Sequence, residues 1–554
     1  LKNTIDNIEN QLDGREPIYT NVISNQKGLW DPIFACYESL QECGMQAIAN
    51  GSIIDLLRCI SCFGTHLVRH DIRQHSERHS RVLEEICNHL DLGDYSNWSE
   101  DKKQQFLLEE IRGNRPLIGS DLDLSSDSLE VVKTFELIAK QPEEALGAYV
   151  ISMAKCPSDI LVVQLLLKEM GCKGRLPVVP LFETLDDLNN ANESIEILLK
   201  NKSYKKLING ELMVMIGYSD SAKDAGMLAA SWAQYEAQEA LISLCKEHNI
   251  KLTLFHGRGG SLGRGGAPAH EALLSQPPGS LREGLRVTEQ GETIRAKLGL
   301  SSIAIKTFSI YTNAILQANL LEPPNPELEW RKTMDKLSVI SCKSYRDFVK
   351  DDPDFVTYFR QATPERELSN LRLGSRPARR KSDTGIESLR AIPWIFAWSQ
   401  NRLMLPAWLG AIEAISHLYN SDSSQLIQEM IEKWPFFGAR LSMLEMVFLK
   451  SDAWLSKYYD QLLVSSDLQD IGDKLRSKLN SDSAMLELIA GEEKLLNRQA
   501  WPRESVQLRN IYIHPLNVLQ VELLKRERKK PGSIYEEAIM VTIAGIAAGL
   551  RNTG

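Results

Sequence analysis

Met213-Val214-Met215-Ile216-Gly217-Tyr218 runs straight into Ser219-Asp220-Ser221-Ala222-Lys223. After a helical stretch at 227–247 the pattern returns as Leu252-Thr253-Leu254-Phe255 followed by His256-Gly257-Arg258. A short β-prone run, a polar turn and then a helix is the period of a βαβ unit. Upstream, Leu176 to Phe182 ends on Glu183 and leads into a helical stretch at 185–199, and Tyr149 to Met153 leads into one at 158–170. Strands separated by helices form a parallel sheet, because each crossover helix returns the chain to the same edge. In a parallel α/β barrel the C-terminal strand ends share one face, and active sites are built there. Glu183, the Ser219–Lys223 turn and the His256–Arg258 turn are therefore expected at one mouth.

Outside this alternation the pattern is helical. From about 30 to 110 apolar residues recur at three and four spacing, as in Ile53-Ile54-Leu56-Leu57 and Val82-Leu83-Ile86-Leu90. After residue 300 amphipathic, Trp-containing stretches run near 393–417, 425–462 and 484–498, with a last helix at 533–550. The expected fold is α/β with predominant α: a parallel, TIM-like β/α barrel surrounded and followed by many helices. Residues 1–130 read as a helical region leading into the barrel, 131–300 as the barrel strands with a metal site and a glycine-rich loop, and 301–554 as a helical C-terminal region. Only about four βα units are visible, so closing an eight-stranded barrel needs strands from less obvious stretches or from outside these residues.

Composition narrows the function. At 43% hydrophobic and 25% charged the chain carries enough apolar surface for a large core. A net charge of -9 argues against nucleic-acid binding, so any anionic ligand is held by local charge. The nine cysteines include one close pair, Cys59 and Cys62, with no second pair at zinc spacing, which reads as reduced thiols in a cytoplasm. The longest nearly apolar run, Ala538 to Leu550, is too short to span a bilayer and reads as a buried helix. Position 1 is Leu and residues 1–30 show no signal-peptide pattern, so the expectation is a chain that has lost its beginning.

The densest chemical signal is Phe255-His256-Gly257-Arg258-Gly259-Gly260-Ser261-Leu262-Gly263-Arg264-Gly265-Gly266-Ala267-Pro268. So many glycines cannot build a packed element, but they let backbone amides approach an anion, with Arg258 and Arg264 as permanently charged partners. The spacing is neither a Rossmann nor a P-loop fingerprint. Glu183 and Asp220, each just beyond a strand, suit a hard divalent ion such as Mg²⁺, which takes few carboxylates and keeps water and substrate oxygens. His66, His70, His75, His79 and His89, interleaved with Arg69, Arg73 and Arg78, read as a solvated helix face rather than a zinc site.

Taken together, several motifs resemble phosphoenolpyruvate carboxylases. They are Gly217-Tyr218-Ser219-Asp220-Ser221-Ala222-Lys223-Asp224-Ala225-Gly226, the glycine loop, Leu285-Arg286-Val287-Thr288-Glu289-Gln290-Gly291-Glu292, Gly374-Ser375-Arg376-Pro377, Glu387-Ser388-Leu389-Arg390-Ala391-Ile392-Pro393-Trp394 and the terminal Arg551-Asn552-Thr553-Gly554. The resemblance is collinear from about residue 30 to the end. Arg551-Asn552-Thr553-Gly554, with Asn401-Arg402-Leu403-Met404, is similar to bacterial members. The family's N-terminal Thr-Ala-His-Pro-Thr stretch, whose histidine is assigned to catalysis, does not occur in these residues.

The resemblance implies carboxylation of phosphoenolpyruvate by bicarbonate to oxaloacetate and phosphate. It implies Glu183 and Asp220 as ligands of Mg²⁺ or Mn²⁺, and Arg73, Arg258 and Arg390 on the transferring phosphate. His256 and Arg264 would lie beside the carboxylation step, and Lys223 would supply further positive charge. It further implies an aspartate or malate inhibitor site at Arg264, Lys450, Arg509 and Asn552, an activator phosphate site at Arg376, Arg379 and Arg380, and a homotetramer in the cytoplasm without nucleic-acid or membrane partners. Two alternatives stand beside it: an inactive fragment that keeps dicarboxylate binding, and another lyase acting on phosphoenolpyruvate or pyruvate.

Overall fold

The structure is a computed structural model that describes residues 1–23, 25–119, 122–172, 176–257, 269–289, 291–370, 389, 391–420, 423–497, 499–532 and 534–551. Among these residues it is predominantly helical and carries six parallel strands: β1 (His70–His75), β2 (Leu146–Ser152), β3 (Val178–Phe182), β4 (Glu211–Ile216), β5 (Lys251–His256) and β6 (Arg286–Val287). Strand order follows chain order, and β1 and β6 each have a strand neighbour on one side only. The expected barrel is thus met in part: the strands are parallel and separated by helices, but among the described residues the sheet is open.

Two compact units divide the chain, one holding residues 1–152 and 156–179, the other 153–155 and 180–554. In the first, β1 pairs with β2 in parallel, with Arg73 opposite Val150. The helix Ser76–His89 follows β1 and buries Val82, Leu83, Ile86 and Cys87. Here the histidine-rich stretch departs from a solvated helix face. Residues 70–75 are a strand, and His79 is fully buried, with Nε2 2.7 Å from the Tyr149 hydroxyl, which donates to Gln74 Oε1. A polar strand of this kind lacks the apolar run that marks β2 to β5, which is why its sequence reads as part of a helix.

In the second unit the end of β3 pairs with β4, β4 with β5 and β5 with β6, all in parallel. Glu211 to Ile216 align with Lys251 to His256, which sets the two strand ends level. The helices Leu185–Lys200 and Met227–Glu247 make the crossovers. Thr184 caps the first of these with Asp187 in a reciprocal capping box. Beyond residue 300 the helices pack on an aromatic core in which Trp394, Trp398, Trp408 and Trp434 are fully buried. Trp434 stacks on Trp330 and meets Trp232 edge-on, so the crossover helix Met227–Glu247 is anchored in that core.

Candidate active site

Two glycines bring the polar strand ends together in the second unit. The Gly217 amide donates to Phe182 O and the Gly257 amide to Ile216 O, extending the ladder one residue past β3, β4 and β5. A methyl group at Gly217 would lie 2.7 Å from Phe182 O and 2.8 Å from Glu183 Cα, and one at Gly257 would lie 2.9 Å from Ile216 O. Only glycine permits these approaches.

Glu183 follows β3 and is 3% exposed, with Oε2 accepting the Met153 amide at 2.7 Å. Asp220 sits half-buried in the first turn of the helix Ser219–Ala225, where backbone amides favour a carboxylate. Among the described residues no group of three or more His, Cys, Asp or Glu side chains is arranged to hold a metal. A buried and a half-buried carboxylate on adjacent strand ends nevertheless match the sparse oxygen donor set of Mg²⁺.

Lys223 is buried rather than a surface lysine, and its Nζ donates to the Leu389 carbonyl at 2.6 Å. Its helix is clamped from Leu328–Val349: the Tyr345 hydroxyl donates to Lys223 O, while Arg346 and Lys350 bind Asp224. Burial works against the Asp224 charge, but Lys350 and Arg346 outweigh it and hold the carboxyl below its ordinary pKa. His256 closes β5 and is wholly buried, which lowers its pKa to about 4 and keeps it neutral at pH 7. Its Nδ1 lies 2.7 Å from the Tyr218 hydroxyl, and its Nε2 has no hydrogen-bond partner among the described residues. Arg73 belongs to the first unit, where its Nε donates to Ser152 Oγ at 2.6 Å.

A second polar centre surrounds Lys450, the last residue of the helix Pro435–Lys450 and 2% exposed. Burial first, then the charges of Arg509, Arg551 and Arg402, lower its pKa to about 7. Arg509 is positioned by its own bonds to Ser505 O and Gly549 O. Arg402, fully buried, donates to Lys450 O at 2.8 Å and to Asn510, with Asp452 the acid whose charge favours it. Sequence reasoning missed Arg402 and Arg551 as members of this cluster, although both lie in the motifs that suggested a bacterial lineage. Of the remaining expected site residues, Arg258, Arg264, Arg376, Arg379, Arg380, Arg390 and Asn552 lie outside the described residues.

The phosphoenolpyruvate carboxylase family model matches residues 1–554. The chain belongs to that family. It is 57% identical over 557 residues to a phosphoenolpyruvate carboxylase of Photorhabdus laumondii, covering 100% of this chain and 63% of that protein. Its identity to the phosphoenolpyruvate carboxylases of Escherichia fergusonii and Serratia proteamaculans is 56%, over 99% of this chain and 63% of each relative. The chain thus spans about 63% of the length of the curated phosphoenolpyruvate carboxylases it matches. No helix among the described residues is long and apolar enough to cross a membrane.

Proposed function

We propose that this chain carries most of the active site and the inhibitor site of a phosphoenolpyruvate carboxylase, converting phosphoenolpyruvate and bicarbonate to oxaloacetate and phosphate. The observation that carries the reading is the grouping of Glu183, Asp220, Lys223 and His256 at the ends of adjacent parallel strands in a member of that family. Bicarbonate attacks the phosphate to give carboxyphosphate and the enolate of pyruvate, carboxyphosphate breaks down to CO₂ and phosphate, and the enolate captures the CO₂.

Mg²⁺ or Mn²⁺ held by Glu183 and Asp220 would supply Lewis-acid stabilisation of the enolate oxygen. Lys223 adds positive charge and, through the Leu389 carbonyl, fixes the backbone next to Arg390. Arg390, Arg73 and Arg258 grip the phosphate, whose developing charge calls for preorganised cations. The glycine loop, with His256 at its root and Arg264 within it, closes over the enolate and keeps water away.

Lys450, Arg509, Arg264 and Asn552 bind aspartate or malate. Because Arg264 serves both sites, a bound inhibitor draws the loop from the active site and favours the inactive state. Arg376, Arg379 and Arg380 form an activator phosphate site. The full assembly is a cytoplasmic homotetramer, and strands beyond the six seen here close the barrel. Residues 1–130, 131–300 and 301–554 divide the work into barrel entry, catalysis and regulation.

The test is oxaloacetate formation by purified residues 1–554, and by a chain of the relatives' full length, with phosphoenolpyruvate, bicarbonate and Mg²⁺. Bicarbonate-dependent turnover suppressed by aspartate supports the reading. Absence of turnover from both overturns it.

A further inference from the structure

Arg440, on the helix Pro435–Lys450, is 7% exposed, and its Nε is buried without a hydrogen-bond partner among the described residues. No carboxylate among those residues pairs with its guanidinium. It does lie over the Phe436 ring, with Cζ 5.7 Å from the ring centre, a weak compensation for a desolvated charge. A buried lysine can escape such a position by losing its proton. A guanidinium stays charged, so its burial calls for an anion or for water brought close.

The space for one is present. Arg440 lines a cavity of about 20 Å³ together with Met227, Leu228 and Ala411, and the rest of the wall is apolar, Leu444 and Val447 included. Met227 and Leu228 open the helix Met227–Glu247, and Ala411 opens the helix Ala411–Tyr419. Both helices start without a side-chain cap, because glycine is required at each cap position. Gly226 has φ +79°, and a methyl group there would lie 3.1 Å from the Tyr345 ring. Gly410 has φ +81°, and a methyl group there would lie 2.5 Å from Ser341 O. The first helix has no acid in its opening turn, and Glu413 in that of the second is engaged by Ser344 and Lys478. Two positive helix ends and one unpaired guanidinium thus border the same small cavity.

We propose that Arg440 and the starts of the helices Met227–Glu247 and Ala411–Tyr419 form a binding site for a small monovalent anion of halide size, which serves as the counter-ion that the chain itself does not supply. Size sets the class. A water-sized particle needs about 10–15 Å³ on this measure, so the cavity takes one, and a phosphate or a dicarboxylate would have to part its walls. Apolar walls suit a weakly hydrated ion such as chloride or bromide, which gives up its water at low cost. The bound ion would tie three helices together at one point, including the crossover helix that follows the Lys223 turn. The site is separate from the carboxylase reading, and either stands if the other fails.

The experiment uses the protein at its relatives' full length and replaces gluconate by chloride or bromide at fixed ionic strength while thermal unfolding is followed. The expected result is a saturable rise in Tm of about 2 °C once the halide exceeds its Kd tenfold. Arg440→Met removes the charge at similar volume, and a buried unpaired charge replaced in this way leaves a protein as stable or more so. Its Tm in gluconate should match or exceed that of the parent, and the halide response should vanish. Anomalous diffraction from parent crystals grown in bromide should place an ion beside Arg440. A parent indifferent to halide, or a response of equal size in Arg440→Met, overturns the proposal. If Arg440→Met fails to fold, the bromide map decides: a peak in the cavity upholds the site, and an empty or water-filled cavity overturns it.

Discussion

Lys450 gives the sharpest pH prediction. Its ammonium ordinarily titrates near 10.5 and here near 7, because burial and the charges of Arg509, Arg551 and Arg402 all oppose protonation. A dicarboxylate bound among these cations reverses the charge balance and raises the Lys450 pKa again. On the proposed inhibitor reading, aspartate or malate therefore binds the protonated form. Its affinity is full below about pH 7 and declines as pH rises toward the bound-state pKa. Each unit of that interval is worth about 1.4 kcal/mol, or tenfold in Kd. Isothermal titration of aspartate and malate in buffers of different ionisation enthalpy measures both quantities. Between about pH 7 and 9, Kd should weaken by roughly tenfold per unit with uptake of close to one proton. In Lys450→Met binding is weak at every pH and the slope disappears. A flat Kd in the parent, or binding without proton uptake, would refute this account of the cluster.

Three further outcomes are expected. Gly217→Ala forces the ends of β3 and β4 apart at a cost of about 1–3 kcal/mol, so thermal unfolding should show a lower Tm and Mg²⁺ or Mn²⁺ should no longer raise it. Lys223→Met removes a charged hydrogen bond to the Leu389 carbonyl, and steady-state kinetics should show about a tenfold loss in kcat/KM for phosphoenolpyruvate. Asp482 is pushed up to about 6, chiefly by burial, so its folded state favours the neutral acid. The stability it lends is present below its ordinary value of 3.8 and lost as pH rises through about 6. Denaturant unfolding of Asp482→Asn should therefore show a gain of about 1–3 kcal/mol at pH 8 that vanishes toward pH 4.

What was legible in the sequence follows from how each element is built. Strands β2 to β5 announce themselves because they are buried on both faces and read as apolar runs between helices. The helices Leu185–Lys200 and Met227–Glu247 fall within a residue of expectation for the same reason. β1 is His-Asp-Ile-Arg-Gln-His and β6 is two residues long, so neither carries an apolar run, and both become strands through their neighbours. Glu183, Asp220 and His256 were legible as polar groups placed after strands. The partners that shape them were not. Tyr218 with His256, Lys223 with Leu389 and Arg402 with Lys450 are contacts across 38, 166 and 48 residues, which no local pattern encodes.

An acidic chain that is to meet an anion must place its cations by burial rather than by number. Lys223, Arg402, Arg440 and Lys450 are all buried in a protein of net charge -9. Each costs free energy to desolvate, and the lowered pKa values of Arg402, Arg440 and Lys450 record that cost. Lys450 and Arg440 sit on one helix, where the charges of Arg509 and Arg551 act on Lys450 and the Tyr218 phenol acts on Arg440. On the proposed reading, the helix Pro435–Lys450, which carries both residues, is a candidate link between the two polar centres. Combining Lys450→Met with Tyr218→Phe in a double-mutant cycle measures it: coupling in aspartate affinity beyond the sum of the single effects places the helix in the path, and strict additivity excludes it.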